Sequence, residues 1–422
     1  MELLQQMLER ENLKAAFDRV KWNGGAAGPD GVTAKQLGAY LRTHWPSTKE
    51  RILEGKYVPS PVRRATIPKP DGGERNLGIP NAIDRFIQQA MLQVLTSIFD
   101  RGFSESSFGF RPGRSAHQAV EQAQRYIEEG DVIVVDIDLE KFFDKVNHDI
   151  LMSRVARKVK DKRMLKLIRQ YLQAGIMVEG VRVASEEGTP QGSPLSPLLA
   201  NIMLDELDKE LEKRGHRFCR YADDCNIYVR TPKAGKRVME SVTRFLEKRL
   251  KLKVNKEKSA MGHPMARKFL GFTFMILGYG VDICISSKSI KRLKERTREL
   301  TNPVWPISIE ERVKRLNRYL RGWLGYYALT TSPSILGPIS AWMRRRLRSC
   351  IWQQWKRPRT RIRNLINLGV PRNDAFNVAL SGKRDWRISR TPATHRALNN
   401  RFWENLGLVN LLKMYSELRQ GW

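Results

Sequence analysis

Carboxylates crowd two short runs of this sequence, VVDIDLEKFFD (134–144) and RYADD (220–224). The β-branched residues of the first run predict a strand. Alternate side chains of a strand share a face, so Asp136 and Asp138 point one way while Val135 and Ile137 point into a core. The second run reads as two short strands joined by a tight turn, with Asp223 and Asp224 adjacent and an apolar strand from Asn226 to Val229 behind them. Carboxylates held this close repel each other, and a divalent cation relieves the repulsion. Magnesium takes hard oxygen ligands and shares them with substrate phosphates. Two such ions about 4 Å apart activate a hydroxyl, stabilise in-line displacement at phosphorus and neutralise a departing pyrophosphate. The four letters YADD also recur by chance as a solvated acidic turn, so their weight depends on the company they keep.

That company is a set of elements able to hold substrates around the acids. Upstream, PSPVRRATIPKPDGGERNLGIP predicts a β-hairpin with Asp71-Gly72-Gly73 at its turn and the cations Lys69 and Arg75 on its arms. Between the acidic runs, TPQGSPLSPLLANIMLDELDKELEKR is a Pro/Gly turn entering a long helix. Downstream come LKVNKEKS and then KFLGFTFMIL, which reads as a strand pair. Helix patterns occupy residues 1 to about 22, ending at a Gly-rich loop (Gly24 to Gly31), then Thr33 to about Glu54, Ala82 to about Phe99, Ser115 to Glu129 with Ser115 as N-cap, 148–175 and 238–252. After Ser286 the pattern is nearly all helix, and a polar basic stretch from Pro358 to Arg363 leads into a smaller terminal segment. Strands interspersed with helices, without strict alternation, predict an α+β fold.

Charge points to the partner. The chain has 422 residues, 76 Lys+Arg and 44 Asp+Glu, a formal net charge of +32. From Val281 onward there are 29 Lys/Arg and 9 Asp/Glu, so the last third supplies +20 of that excess, together with eight of the ten tryptophans. Such a charge repels itself unless a polyanion neutralises it, which makes nucleic acid the expected partner. Four scattered cysteines exclude a disulfide scaffold. No spacing suggests zinc, and no apolar run reaches a membrane span. The amphipathic start is unlike a secretory signal. These features predict a soluble protein of a reducing compartment.

In this order the elements resemble the reverse transcriptase signature set: basic fingers, motif A, motif B, motif C with YxDD, motif D and the primer grip. RFIQQA, SFGFRPGRSAH, DIDLEKFFDKVNH, GTPQGSPLSPLLANIMLDELD, RYADD and KFLGF are similar to bacterial group II intron-encoded reverse transcriptases, or maturases, and RGWLGYY with RRRLRSCIWQQWKR resembles that family's thumb. The subgroup resembled is the compact one of group IIC introns, which lacks an endonuclease domain. The resemblance implies an RNA-directed DNA polymerase with two Mg²⁺ ions, Mn²⁺ being able to substitute. Asp138, Asp223, Asp224 and the carbonyl of Leu139 would be the metal ligands. Lys69 and Arg75 would hold the triphosphate of a dNTP, Phe143 would be the gate against a 2′-hydroxyl, Gln191 would line the nucleotide and template site, and Lys258 would donate a proton to pyrophosphate. One departure is Ser193, where the family usually has the second glycine of PQGG. The loop from Gly24 to Gly31 matches the family's N-terminal extension loop over the template.

The same resemblance implies a right hand: fingers with an N-terminal extension (1–115), palm (116–285), helical thumb (286–362) and a basic DNA-binding domain (363–422). The partners implied are RNA template, DNA or RNA primer, dNTPs, group II intron RNA and target DNA, in the cytoplasm of a bacterium, on nucleoid or ribonucleoprotein. The expected function is reverse transcription for a mobile intron with help in splicing and retrohoming. The alternatives are a domesticated enzyme of DNA repair and an RNA-binding splicing cofactor without polymerase activity. Intact Asp138, Asp223 and Asp224 favour a working polymerase, because a dead site gains nothing from mutually repelling acids.

Overall fold

The computed structural model describes residues 2–68, 72–178, 181–183, 187–189 and 192–420, with the backbone alone at 75, 176, 178 and 181–183. Contacts divide the chain into two compact units, one ending at Arg267 and the other starting at Lys268.

The first unit opens with three helices, α1 (Leu3–Met7), α2 (Arg10–Asn23) and α3 (Leu37–Leu53). A single helix was expected over the first 22 residues. Instead the chain breaks at Leu8 and Glu9, where the Asn12 side chain takes the Met7 carbonyl (2.8 Å) that a continuous helix would have used. The expected hairpin follows as β1 (Val62–Pro68) and β2 (Glu74–Ile79), antiparallel from Arg63↔Ile79 to Pro68↔Glu74. Asp71 of its turn lies outside the described residues. Helices α4 (Ala82–Phe99) and α5 (Ala116–Glu128) come next, the latter closed by a capping box between Ser115 and Gln118. Then follow β3 (Ile133–Ile137), α6 (Phe142–Lys145), α7 (His148–Lys158), α8 (Lys162–Leu172), β4 (Ile176–Val178) and β5 (Val181–Val183). The unit closes with α9 (Ser196–Lys213), β6 (Arg217–Tyr221), β7 (Asp224–Val229), α10 (Pro232–Phe245), a π-type turn to Leu250 and β8 (Ala260–Gly262).

Two four-stranded sheets result. In one, ordered β2-β1-β4-β5, the β1–β4 pair is parallel and the other pairs antiparallel. The other, β6-β7-β3-β8, is antiparallel throughout. Helix α10 lies against it so closely that a Cβ on Gly235 would sit 3.2 Å from Ile133 and from Met261. One apolar core runs through the unit, from Leu4 and Ile87 to Val135, Leu204 and Ile227.

The second unit starts with an antiparallel hairpin, β9 (Phe272–Leu277) and β10 (Gly280–Ile285). KFLGFTFMIL therefore holds one strand, not two. Its front end is spent on a tight turn in which Leu270 and Gly271 take positive φ, and β9 finds its partner further on. Nine helices follow among the described residues: α11 (Ser287–Leu300), α12 (Ile309–Tyr327), α13 (Leu336–Gln354), α14 (Pro358–Asn367), α15 (Arg372–Ala379), α16 (Asp385–Ile388), α17 (Pro392–Ala397), α18 (Asn400–Asn405) and α19 (Leu411–Gln420). The polar stretch at Pro358 is not a linker but the first turn of α14, where proline costs nothing because that N–H has no helical partner. Leu320, Met343, Leu365, Trp403 and Leu411 share one core, which passes through the expected thumb border at residue 362. The hairpin expected at the end of the palm makes its contacts within this second unit.

Candidate active site

Strand register brings the two acidic runs together. β3 and β7 pair antiparallel from Ile133↔Val229 to Ile137↔Cys225, so Asp138 and Asp224 are the next residues on the two neighbouring chains. β7 also pairs with β6, and Tyr221↔Asp224 closes that hairpin around the two-residue turn Ala222-Asp223. Opposed positions of an antiparallel pair lie about 5 Å apart at Cα. Val135 and Ile137 are buried, whereas Asp136, Asp138, Asp223 and Asp224 are half-buried. The alternation expected for β3 is therefore present.

The back of the acidic turn is held by groups that the sequence reading did not single out. Ala222 takes φ +59°, which costs a residue with a Cβ about 1–2 kcal/mol. Arg220, 1 % exposed, donates to the Ala222 carbonyl (2.8 Å). It also donates to both carboxylate oxygens of Asp208 on α9 (2.7 and 2.5 Å), to Asn201 Oδ1 (2.9 Å) and to Ser107 Oγ (2.8 Å). Burial alone would lower the Arg220 pKa; Asp208 more than offsets this and holds it above its ordinary value. Asn201 in turn donates to the Gly109 carbonyl (2.8 Å), and a Cβ on Gly109 would come within 2.3 Å of the Ala222 nitrogen. The SFGFRPGR segment thus packs its glycine on the acidic turn, while Arg111 pins the loop through Asp100 and the carbonyls of Ser104 and Ser107.

The buried Cys225 thiol is pushed well up, by burial first and then by Asp208, Asp224 and Asp136 acting against Arg220.

The other expected residues divide into three groups. Phe143 and Lys258 are among the described residues, Phe143 five positions after Asp138 and Lys258 next to Ser259. Phe142 is in the core, while Phe143 is half-buried and meets it edge-on at 5.2 Å. The Phe143 carbonyl accepts from Thr189 N (2.6 Å), which sets Gly188-Thr189 against motif A. Gly188 permits this approach, since a Cβ there would be 2.9 Å from the carbonyls of Phe143 and Asp144. Lys258 is exposed next to Ser259, whose hydroxyl contacts Asp138 N (3.0 Å) and O (3.2 Å). Leu139 is buried and bridges Val254. Arg75 is placed on β2 by its backbone, opposite Ile67. Lys69 and Gln191 lie outside the described residues.

Ser193 fits its backbone position. Gly192, not Ser193, has positive φ (+106°), and a Cβ on Gly192 would meet the Gly78 carbonyl at 3.0 Å. Ser193 is buried and its hydroxyl donates to Gln88 Oε1 on α4.

Three carboxylates from adjoining strand positions are the hard-oxygen donor class that magnesium prefers. Among the described residues, no three His, Cys, Asp or Glu side chains form a ready metal cage.

Comparison with known proteins gives the class. Residues 67–274 match the family model for reverse transcriptase (RNA-dependent DNA polymerase), and residues 290–368 match the group II intron maturase-specific domain. The chain thus carries a reverse transcriptase domain followed by a maturase domain. It is 32% identical to protein YkfC of Escherichia coli over 329 residues, covering 67% of this chain and 85% of YkfC. It is 30% identical to the group II intron-encoded protein LtrA of Lactococcus lactis over 368 residues, spanning 72% of this chain and 61% of LtrA. Among solved structures, one of telomerase from Candida albicans with telomeric RNA aligns at a TM-score of 0.42 and 11% identity, over 73% of this chain and 65% of that one.

The chain belongs to the group II intron reverse transcriptase/maturase family. That family implies use of divalent metal and binding of intron RNA.

Proposed function

We propose that this protein copies RNA into DNA for a mobile group II intron, adding deoxynucleotides to a primer 3′-hydroxyl, and that it binds its intron RNA to assist splicing and retrohoming. The observation that carries the polymerase reading is the β3–β7 register, which follows Ile137↔Cys225 with Asp138 and Asp224. In this reading Asp138, Asp223, Asp224 and the Leu139 carbonyl hold two Mg²⁺ ions. When bound, the ions supply Lewis acidity to the primer hydroxyl and the triphosphate. Lys69 and Arg75 bind the triphosphate, Arg through its forked donors and Lys as a mobile point charge. Phe143 stands under the incoming sugar and rejects a 2′-hydroxyl by volume, Gln191 lines the nucleotide and template pocket, and Lys258 protonates the leaving pyrophosphate. The excess positive charge of the chain neutralises template and primer phosphates.

Primer extension on an RNA template, with Mg²⁺ and with EDTA, tests the reading in wild type and Asp224→Ala. Extension should vanish with EDTA and in the variant, while RNA affinity stays near that of wild type. Loss of RNA binding together with extension would count against the metal role.

A further inference from the structure

The basic run on α13, Arg344-Arg345-Arg346-Leu347-Arg348, is not uniformly used. Arg345 stacks on Trp386, 3.9 Å from the ring centroid, and donates to its carbonyl (3.0 Å). Arg346 donates to Thr301 Oγ1 (2.7 Å) and lies over Trp342. Arg348, 6 % exposed, donates to the Ser389 carbonyl (2.9 Å) and to His395 Nε2 (3.2 Å). Arg344 has no hydrogen bond or ion pair among the described residues, and Glu404 is the acid that acts on it. It borders a cavity of about 280 Å³ lined by Ala341, Arg344, Arg348, His395, Asn399 and Asn400.

The chemistry of this lining is one-sided. His395 accepts from Arg348 at Nε2, so its ring proton sits on Nδ1 and is available to donate. No carboxylate lines the cavity. Burial, then Arg344 and Arg345, bring the Arg348 pKa down to about 10, and burial with the same arginines holds His395 below its ordinary range. Two guanidinium groups and an imidazole N–H around a small open cavity present donors and positive charge with no carboxylate in the lining, a combination matched by a tetrahedral oxyanion.

We propose that this cavity is a phosphate site that seats one backbone phosphate of bound RNA, with Arg344 and His395 Nδ1 in contact and Arg348 as the buried cation orienting the imidazole. The proposal rests on the RNA-binding part of the function proposed above and names a contact for it. Arg344 supplies the charge, and His395 supplies a neutral donor whose direction Arg348 fixes.

The test is binding of a labelled single-stranded RNA of mixed sequence to the full chain across a KCl series, for wild type, Arg344→Gln, Arg344→Lys and His395→Gln. Losing one neutralised phosphate should lower the magnitude of the log Kd–log salt slope by about 0.7 in Arg344→Gln, equally for two unrelated RNA sequences. Arg344→Lys should keep the slope, and His395→Gln should weaken binding at unchanged slope. An unchanged slope in Arg344→Gln, while wild type responds steeply, overturns the site alone. A flat response in wild type overturns the RNA-binding reading itself. A lowered melting temperature in Arg344→Gln, with a slope that Arg344→Lys fails to restore, makes the cluster structural and overturns the proposal. Stabilisation by inorganic phosphate that depends on Arg344, without any change in RNA slope, assigns the cavity to free anion and overturns it too.

Discussion

Asp208→Asn tests how the acidic turn is held. Arg220 uses all five of its N–H donors inside the protein, two of them on Asp208, and both residues are sealed from water. The amide keeps the shape of the carboxylate but leaves a buried guanidinium without countercharge. Breaking a buried pair in this way costs about 3–5 kcal/mol, a large part of the roughly 5–15 kcal/mol that a domain has in reserve. The two units need not unfold together, so hydrogen exchange is a better assay than a global melt. Amides of β6 and β7 should exchange roughly a hundred- to several-thousand-fold faster, while those of α12 and α13 stay unchanged.

The double variant Arg220→Met/Asp208→Leu separates stability from function. Apolar replacement of a buried pair is often neutral or stabilising, so protection of β6 and β7 should largely return. The tether to the Ala222 carbonyl does not return, and primer extension should stay down by on the order of 100-fold, the usual cost of a misplaced reacting group. The reasoning fails if Asp208→Asn leaves β6–β7 exchange as in wild type, or if the double variant extends primers normally.

Other changes probe separate parts of the site. Phe143→Val should admit ribonucleotides, raising their incorporation by on the order of tenfold or more, measured by primer extension with each rNTP; unchanged sugar discrimination removes Phe143 as the gate. Gly109→Ala drives a Cβ into the backbone of Ala222 and Tyr221 and should cut extension by on the order of 100-fold, with wild-type activity the contrary result. Asp84 accepts from Tyr57 (2.7 Å) and Tyr171 (3.1 Å), and burial pushes its carboxyl up to about 6 from 3.8. A raised folded pKa means the protonated form favours folding. This stabilisation is complete below about pH 4 and lost as pH rises through 6, a change of about 3 kcal/mol. Urea unfolding should show that pH dependence in wild type and not in Asp84→Asn; identical profiles would refute it.

The acidic strand, the hairpin turn and the long helix after TPQGS were legible because their signals are local: alternation on β3, adjacent acids between apolar strands, and Pro/Gly before a helical period. Asp138 was implied by the resemblance to the family's motif A, and the β3–β7 register places it next after the Ile137↔Cys225 pair, opposite Asp224. The clamp was harder to read. Asp208 sits in a charged stretch, DELDKELEK, that resembles a solvated helix face. Its position is the clue, since it lies on the stripe of Leu204, Leu207 and Leu211 and is as buried as they are. A charge on an apolar stripe predicts a buried partner, and Arg220, between Phe218, Cys219 and the acidic turn, is the one provided. Gly109 had no signal of its own, because close approach between backbones depends on where remote segments meet. The break at Leu8 and the partner of β9 were likewise tertiary choices, made by Asn12 in one case and by a later strand in the other.

Two unfavourable features meet at the turn: an alanine in the left-handed region, and carboxylates side by side. Neither persists in a flexible loop, which would relax both. Here the relaxation is blocked from behind by Arg220 on the Ala222 carbonyl, by Gly109 against the Ala222 nitrogen, and by β7 pairing on both edges. In front, the acids stay half-exposed and form no closed cage among the described residues. The strain at the turn is thus fixed from behind, and in the proposed reading the acids in front are completed by a cation and a phosphate together.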